Sequence, residues 1–328
     1  MPIVFQAEPD PSTDLLEAVA AMAPENPFYT PAYAAAMGMA GEQPWGLGLR
    51  DGSRWLSACT GFLKRGRISR WMEIPSLPAL GANAPTFWEG LFRFCRRSGI
   101  THLNVNTYAS IEASIPASPT PTMRTDRIEY VIELRPSDLW RLVRPSHRQR
   151  ITRGRKAGLQ LRCSTSEQDC QIHCEMMGES MRRRERRGEE VSTSIPVEGF
   201  LVLLRAGAGV LFQAALDRRV LSSGLVLLSS CGAYYHTSGT CPDGMECGAS
   251  QFLIFETARH LQGRGFGAFN LGGVSGANPG LHEFKAGFGA IRRPLAAVEF
   301  DLQTGLQKTL AGALRGLRGK RAGSLERS

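Results

Sequence analysis

The chain has 328 residues, of which 42% are hydrophobic and 21% charged, and its formal net charge is +9. This length is too great for one typical mixed domain and suits two. The composition is that of an ordinary globular protein, and no segment has the length and apolarity of a membrane span. The positive charge favours a polyanionic partner such as nucleic acid or a phosphorylated precursor, although solubility alone would also account for it.

The cysteines and the termini bear on compartment and metal content. Eight cysteines are scattered along the chain, and none shows the short paired spacing of a structural zinc site. We therefore expect free thiols and no metal. Met1–Pro11 carries two acids and no basic residue, unlike a signal peptide, so we expect a cytoplasmic protein. The last six residues, Gly323–Ser328, resemble translated cloning-site sequence.

The first half of the chain predicts a helix among several strands. Helical spacing of Phe87, Leu91, Phe94 and Cys95 predicts a helix over Thr86–Gly99, which Gly99 ends. An earlier helix is expected at Pro31–Gly41. Alternating or β-rich segments predict strands at Trp45–Leu49, Trp55–Phe62, Arg67–Ile74 and Ile100–Tyr108.

A basic region connects the halves. A strand is predicted at Arg127–Leu134, followed by helices at Ser137–Val143 and Ser146–Ala157. From Arg135 to Arg162 there are nine basic residues and one acid. A second basic cluster lies at Arg182–Arg187.

The second half repeats the order of the first. Strands are predicted at Gly209–Leu216, Arg219–Ser229 and Ala233–Thr237, then a helix at Ser250–Gln262 and a strand at Phe266–Leu271. Two units with the same order of elements indicate a duplicated α/β domain with mixed sheets. We predict domains at residues 1–135 and 136–302, with a C-terminal helix at about 303–322 packing back on the first.

Four motifs and the basic helix carry a family resemblance. They are Tyr234–Gly239, Gly248–Ser250, Phe269–Gly273, Gly280–Gly289 and Ser146–Gly158. Their order resembles the Fem family, a branch of the GNAT superfamily with two tandem GNAT-like domains. The resemblance covers about Asn26 to Ile291 and is strongest from Ser146 onward.

The resemblance implies a fold and an activity. Strands Ala233–Thr237 and Phe266–Leu271 would diverge, and an acyl donor would enter between them. Members of the Fem family move an amino acid from its tRNA ester to an amine, in peptidoglycan cross-bridges or in natural-product and antibiotic biosynthesis. The only co-substrate implied is aminoacyl-tRNA, with no separate cofactor, and we expect a monomer.

The implied catalytic residues are Lys285, Phe284, Tyr235 and His236. Phe284-Lys285 matches a family motif whose lysine lies at the active site. A fixed ammonium there would stabilise the tetrahedral oxyanion by about 3 kcal/mol; the alternative is a surface lysine beside a buried phenylalanine. The base is left open among His236, Asp243, Glu246, Glu283 and the substrate itself, since an isolated histidine is more often structural.

Phosphate binding has two sets of candidates. The tRNA phosphates would contact Arg148, Arg150, Arg153, Arg155, Lys156 and Arg183, although arginine-rich helices are often only solvated faces. A weak glycine loop at Cys241–Ser250 offers Gly244, Gly248 and Ser250. The motif Gln262–Gly267 matches the pyrophosphate pattern of acetyl-CoA-dependent GNAT enzymes, but it follows a helix and precedes a strand, the reverse of what phosphate binding needs.

Two departures from the family concern the acceptor. Pro31–Gly41 has no basic residue, whereas cell-wall members hold a nucleotide-linked precursor with one there, and the chain has no long helical arm. Both favour a small natural-product amine over a peptidoglycan precursor. Two other functions stay open: an acyl-CoA-dependent N-acyltransferase, and a non-catalytic protein that binds RNA or an envelope precursor.

Overall fold

Helices and strands alternate in two similar successions along the computed structural model, which describes residues 2–303 except for 67–68, 111–114, 117–118, 136–137, 189–194, 196 and 275–277. The helices are α1 (Thr13–Met22), α2 (Pro31–Met39), α3 (Ala84–Arg97), α4 (Pro145–Lys156), α5 (Glu167–Arg186), α6 (Val197–Arg205), α7 (Pro242–Cys247), α8 (Ala249–Gly263) and α9 (Pro279–Ala286). The strands are β1 (Val4–Pro9), β2 (Gln43–Asp51), β3 (Arg54–Arg65), β4 (Arg70–Ile74), β5 (His102–Asn106), β6 (Met123–Glu133), β7 (Gln160–Ser164), β8 (Gly209–Leu216), β9 (Arg219–Leu228), β10 (Gly232–Thr240), β11 (Ala268–Val274) and β12 (Ile291–Asp301). None of these helices is long and apolar enough to cross a bilayer.

One mixed sheet contains all twelve of these strands, in the order β1-β2-β3-β4-β5-β12-β6-β11-β10-β9-β8-β7. Counted inward from the two edges of the sheet, equivalent positions are occupied by β1 and β7, by β2 and β8, and so on to β12 and β6 at the centre. The parallel pairs β4/β5 and β10/β11 are flanked by antiparallel strands. The predicted mixed α/β fold with an internal duplication is confirmed.

The two central strands are exchanged between the halves. β6 comes before the predicted boundary at residue 135, but it pairs with β11 of the second half. β12, at the end of the second half, pairs with β5 of the first. β6 and β12 also pair with each other. The domain boundary stays a prediction, but each half completes its sheet with a strand from the other.

Most predicted elements are present, with small shifts at their ends. The helices predicted at Thr86–Gly99 and Ser250–Gln262 are α3 and α8. The strand predicted from Arg67 begins at Arg70. The helix predicted at Ser137–Val143 is a short 3-10 helix, Leu139–Leu142, after which Val143 is extended. The C-terminal helix predicted at 303–322 lies outside the described residues.

Several elements are absent from the sequence predictions. β1 and α1 precede what was expected to be the first helix, and α5 and α6 fill the region after β7. The buried face of α5 includes Cys170, His173, Cys174, Met176 and Met177. Such residues give a weaker periodic signal than a stripe of leucine and isoleucine.

The hydrophobic cores reach across the two halves. α6 of the second half packs against α2 of the first, and its Phe200 and Leu204 join the first core. The ring of Phe28 lies edge-to-face against Tyr234, with centroids 5.0 Å apart. Because buried apolar surface is shared in this way, we expect the halves to unfold together.

The approach of the backbones at Gly232 gives a testable consequence. A Cβ at Gly232 would lie 2.1 Å from the carbonyl oxygen of Glu25. We therefore expect Gly232→Ala to lower the free energy of unfolding by about 1–3 kcal/mol, because backbone must shift to admit a methyl group. Chemical denaturation measures the change.

A matched control is available within helix α2. Gly38 has no atom within 4 Å of its would-be Cβ, so Gly38→Ala should leave stability unchanged or raise it by up to about 1 kcal/mol. Equal unfolding midpoints for Gly232→Ala and Gly38→Ala would mean that the contact with Glu25 does not constrain the fold.

Candidate functional site

An opening forms in the sheet where β10 and β11 separate. The strands are paired in parallel at Gly232–Ala268, Ala233–Phe269 and Tyr234–Asn270, and not beyond. Farther along, β10 stays paired with β9, while β11 stays paired with β6. The predicted divergence of the strands at Ala233–Thr237 and Phe266–Leu271 is thus confirmed. The equivalent pair in the first half, β4 and β5, is paired through to Ile74 and Val105.

Irregular backbone on both strands shapes this opening. A bulge on β10 between Tyr235 and Thr237 leaves His236 without a partner on β9. On β11 the register with β6 shifts between Asn270 and Gly273. Gly272, inside that shift, has a φ of +77°, which favours glycine. The backbone at the opening is therefore available to contact other groups.

A cleft of about 700 Å³ lies at the opening. Its walls come from α5, β10, α7, α8, β11 and α9, and it brings together the predicted residues Tyr235, His236, Ser250, Phe284 and Lys285 with Arg183 of the basic cluster. Methionines such as Met177 and Met181 supply apolar lining. Among the described residues that line it, the charged ones are Arg183, Arg184, Arg187 and Lys285, and none is acidic. The cleft therefore suits an anionic ligand with an apolar part.

Lys285 lies where α9 meets the bulge of β11. Its Nζ donates hydrogen bonds to the carbonyl oxygens of Gly272 and Gly273, at 3.0 and 3.2 Å. Burial lowers the pKa of Lys285 to about 8, so the ammonium still predominates at neutral pH. An ammonium has three hydrogens, and two are used by these carbonyls, which leaves one for a ligand in the cleft.

Phe284 anchors α9 to the basic helix α4. Its ring lies 5.5 Å from that of His147 and 5.4 Å from that of Phe288. The Nε2 of His147 donates to the carbonyl oxygen of Phe284 at 2.9 Å. The backbone nitrogen of Arg144 donates to the carbonyl oxygen of Gly287 at 2.9 Å. These contacts hold in place the helix that carries Lys285, and the catalytic role of Phe284 stays a prediction.

Tyr235 and His236 differ in their surroundings. The Tyr235 ring fills space that a side chain at Gly224 would occupy, and burial raises the pKa of Tyr235 to about 12. His236 is exposed to solvent in the cleft, and the groups packed around its ring lower its pKa by desolvation. A neutral imidazole can accept a proton. Behind it, His173 is fully buried and hydrogen-bonded to Ser223 and Thr237, each at 3.0 Å.

The other candidate bases lie outside the cleft. Asp243, Glu246 and Glu283 are exposed, and none of them lines it. Asp243 pairs with Arg219 at 2.7 Å. Of the four side chains considered as the base from sequence, His236 alone lines the cleft. All eight cysteines are free thiols, and the described residues contain no cluster of ligands that could hold a metal ion.

The glycine loop predicted at Cys241–Ser250 is wrong, because most of this segment is helix α7. Gly244 lies inside helix α7, and a Cβ there would be 2.3 Å from the carbonyl oxygen of Leu221. Gly248 has a φ of +80°, and a Cβ there would be 2.6 Å from the carbonyl oxygen of Arg150. The Ser250 hydroxyl shares a hydrogen bond of 2.8 Å with Thr240. These glycines therefore permit close packing of backbone, and phosphate binding by this segment stays a prediction.

The predicted basic residues fall into four environments. Arg155 pairs with Glu256 at 2.6 Å and lies over the Trp140 ring, so its charge is already neutralised. Arg183 donates to the Thr240 carbonyl at the cleft, and Arg148 is half-buried. The remaining three are exposed on α4: Arg150, Arg153 and Lys156.

Sequence reasoning missed two features of the site. One is helix α5, whose Met177 and Met181 face the cleft. The other is Glu129 of β6, which is fully buried beside the opening. Glu129 could have been identified from the sequence, because it is a lone acidic residue inside the apolar run Ile128–Ile132.

Comparisons with known proteins agree with this geometry. Residues 142–286 match the family model described as an acetyltransferase (GNAT) domain. The fold is similar to that of FemX, with a TM-score of 0.67, 10% identity and coverage of 93% of this chain and 99% of that one. It is also similar to L-PGS from Bacillus licheniformis, with a TM-score of 0.55, 11% identity and coverage of 92% and 96%.

A third solved structure is a tandem GNAT protein from the clavulanic acid biosynthesis pathway, with a TM-score of 0.51, 13% identity and coverage of 92% of this chain and 99% of that one. No curated protein sequence matches the chain. At these identities the structural likeness shows the fold alone. Residues 142–286 thus match a GNAT domain model, and the chain as a whole has the fold of these tandem GNAT-like structures.

Proposed function

From a GNAT domain whose sheet opening holds an ammonium group, we propose that the protein transfers an aminoacyl group from aminoacyl-tRNA to an amine. The observation that carries this proposal is the position of Lys285, at the point where β10 and β11 diverge, in a cleft whose described charged residues are all basic. The amine nitrogen attacks the ester carbonyl carbon, a C–N bond forms, and the bond to the ribose oxygen breaks. The amine loses a proton and the ribose oxygen gains one.

The Lys285 ammonium would stabilise the oxyanion of the tetrahedral intermediate. Two of its hydrogens are held by the Gly272 and Gly273 carbonyls, so the direction of the third is fixed before substrate binds. A donor aimed in advance at developing charge needs no reorganisation in the transition state. His236, neutral and open to the cleft, would carry the proton from the amine toward the departing ribose oxygen.

Two basic elements, α5 in the wall of the cleft and α4 packed behind α7 and α8, would bind the tRNA backbone. α5 places Arg183, Arg184 and Arg187 in its wall. α4 packs against α7 and α8 and holds α9 through His147. Phosphates bound on these elements would position the acceptor stem without any reading of bases.

The segment between β10 and α8 favours tRNA over coenzyme A as donor. A pyrophosphate would need amides at the start of the helix that follows β10. That segment is α7, which carries Asp243 and Glu246 and no basic residue. The pyrophosphate-like motif Gln262–Gly267 lies instead at the end of α8 and in the turn that leads to β11.

For the acceptor, we propose a small amine such as a natural-product intermediate. In cell-wall members of the Fem family a basic residue on the helix equivalent to α2 holds the nucleotide-linked precursor, and α2 has none. A peptidoglycan precursor is the alternative acceptor, and an acceptor assay separates the two.

The test mixes the purified protein with total tRNA charged with radiolabelled amino acids and a bacterial small-molecule extract. We expect label from one or a few amino acids to enter new amides, and ribonuclease treatment to abolish the transfer. Transfer from an acyl-CoA but from no aminoacyl-tRNA would instead establish an acyl-CoA-dependent enzyme. If no donor supports transfer, while radiolabelled tRNA binds, the non-catalytic RNA-binding function would replace this proposal.

A further inference from the structure

Glu129 stands at the centre of a hydrogen-bond network behind the opening. Its side chain is fully buried on β6. Its carboxylate accepts hydrogen bonds from the Tyr234 hydroxyl at 3.1 Å, from Nδ2 of Asn270 at 2.9 Å and from the backbone nitrogen of Ala109 at 3.2 Å. The nitrogens of Asn270 and Ala109 can only donate, so these two contacts favour the ionised carboxylate.

The network continues from Glu129 to Lys285 through the bulge of β11. While Nδ2 of Asn270 donates to Glu129, its Oδ1 accepts from the backbone nitrogen of Gly272 at 2.8 Å. The carbonyl oxygens of Gly272 and Gly273 in turn accept from Lys285. Asn270 therefore ties the carboxylate to the backbone that holds the ammonium.

Electrostatics couple the same two groups. Burial raises the pKa of Glu129, while the hydrogen bonds from Asn270, Ala109 and Tyr234 and the charge of Arg293 oppose that change. The negative charge of Glu129 raises the pKa of Lys285 and so opposes the lowering caused by burial. A half-buried ammonium near a hydrogen-bonded carboxylate is less unfavourable than one without it.

Glu129 belongs to the first half of the chain, but its hydrogen bond to Asn270 reaches the second half. Both Glu129 and Ala109 come from residues before the basic connection, and β6 enters the second half of the sheet by the strand exchange. Glu129 does not line the cleft, so it would not touch a substrate there.

We propose that Glu129 is a positioning residue: through Asn270 and the Gly272 bulge it holds the Lys285 ammonium at the opening and supplies its countercharge. This inference rests on the role proposed for Lys285 in transfer. The protonation of the Lys285 amine can be measured without any transfer reaction.

The experiment compares the wild type with Glu129→Gln, which keeps the shape of the side chain and removes its charge. Competitive acetylation by acetic anhydride, followed by mass spectrometry, gives the pH at which the Lys285 amine becomes reactive. We expect this midpoint to fall by about one pH unit or more in Glu129→Gln, because an adjacent opposite charge favours the ammonium. Lys285 labelling at pH 7 then rises several-fold.

Transfer kinetics supply the second readout. We expect kcat of Glu129→Gln to fall about 10- to 100-fold, since small displacements of a catalytic group have effects of this size. The decline of activity at high pH should move to lower pH, while KM for the donor changes little. Glu133→Gln, an exposed position on the same strand, is the matched control and should behave as wild type.

The outcomes separate this inference from the proposed function. A folded Glu129→Gln with the wild-type labelling midpoint overturns the positioning role. A shifted midpoint in a protein whose wild type transfers nothing supports the coupling and removes the aminoacyl-transfer proposal. If Glu129→Gln does not fold, Asn270→Ala decides, and unchanged Lys285 labelling together with unchanged kcat overturns the inference.

Discussion

Replacement of Lys285 by alanine is expected to lower kcat about 100- to 1,000-fold, the usual effect of removing one oxyanion-stabilising donor. The ammonium interacts most strongly with the charge that develops in the transition state, so KM for the donor should change much less than kcat. Folding should be preserved, because a half-buried ammonium with a lowered pKa is not a favourable group in the folded state. Single-turnover transfer from charged tRNA measures the change.

The pH dependence of the transfer activity tests the role of Lys285 independently. The ammonium form of Lys285 is the active one, so wild-type activity should decline as pH rises through about 8, the pKa of Lys285. Lys285→Met keeps the volume of the side chain and cannot titrate, so its residual activity should lack this decline. A kcat within about threefold of wild type in Lys285→Met, with the protein folded, would remove Lys285 from the mechanism.

Removal of the exposed charges of α4 is expected to raise KM for the aminoacyl-tRNA at least tenfold while kcat is retained. The variant is Arg150→Gln, Arg153→Gln and Lys156→Gln, all exposed positions in the wild type. Each lost phosphate contact reduces the slope of log affinity against log salt by about 0.7 to 0.9. Three contacts should therefore make the slope shallower by about 2 to 3. KM measured between 50 and 200 mM salt checks both effects.

The control removes the same charge from the first half. Arg54, Arg96 and Arg97 are exposed on β3 and α3, and their replacement by glutamine should change KM less than twofold. Equal effects of the two triple variants would indicate attraction by net charge rather than a docking surface on α4. Arg155 is left in place, because its pairing with Glu256 gives it a role in holding α4 to α8.

The sequence by itself determined the duplicated architecture. The periodicities of α3 and α8 and the strands beside them depend on local spacing of apolar residues, which survives in any packing of the halves. Phe284 and Lys285 were singled out by the family resemblance, which one short motif on one helix can carry. Elements with a mixed buried face, such as α5, could not be read in this way.

Only the tertiary structure decided which distant residues meet at the opening. Glu129 and Lys285 are connected by a strand exchange that no local pattern encodes, because pairing of β6 with β11 depends on the whole sheet. Arg155 looks like the other arginines of α4 in the sequence, and only the structure shows that it pairs with Glu256 across the interface with α8. The glycines of the predicted loop pack closely against backbone from other elements. Those elements lie far along the chain, so their contacts could not be read from the local sequence.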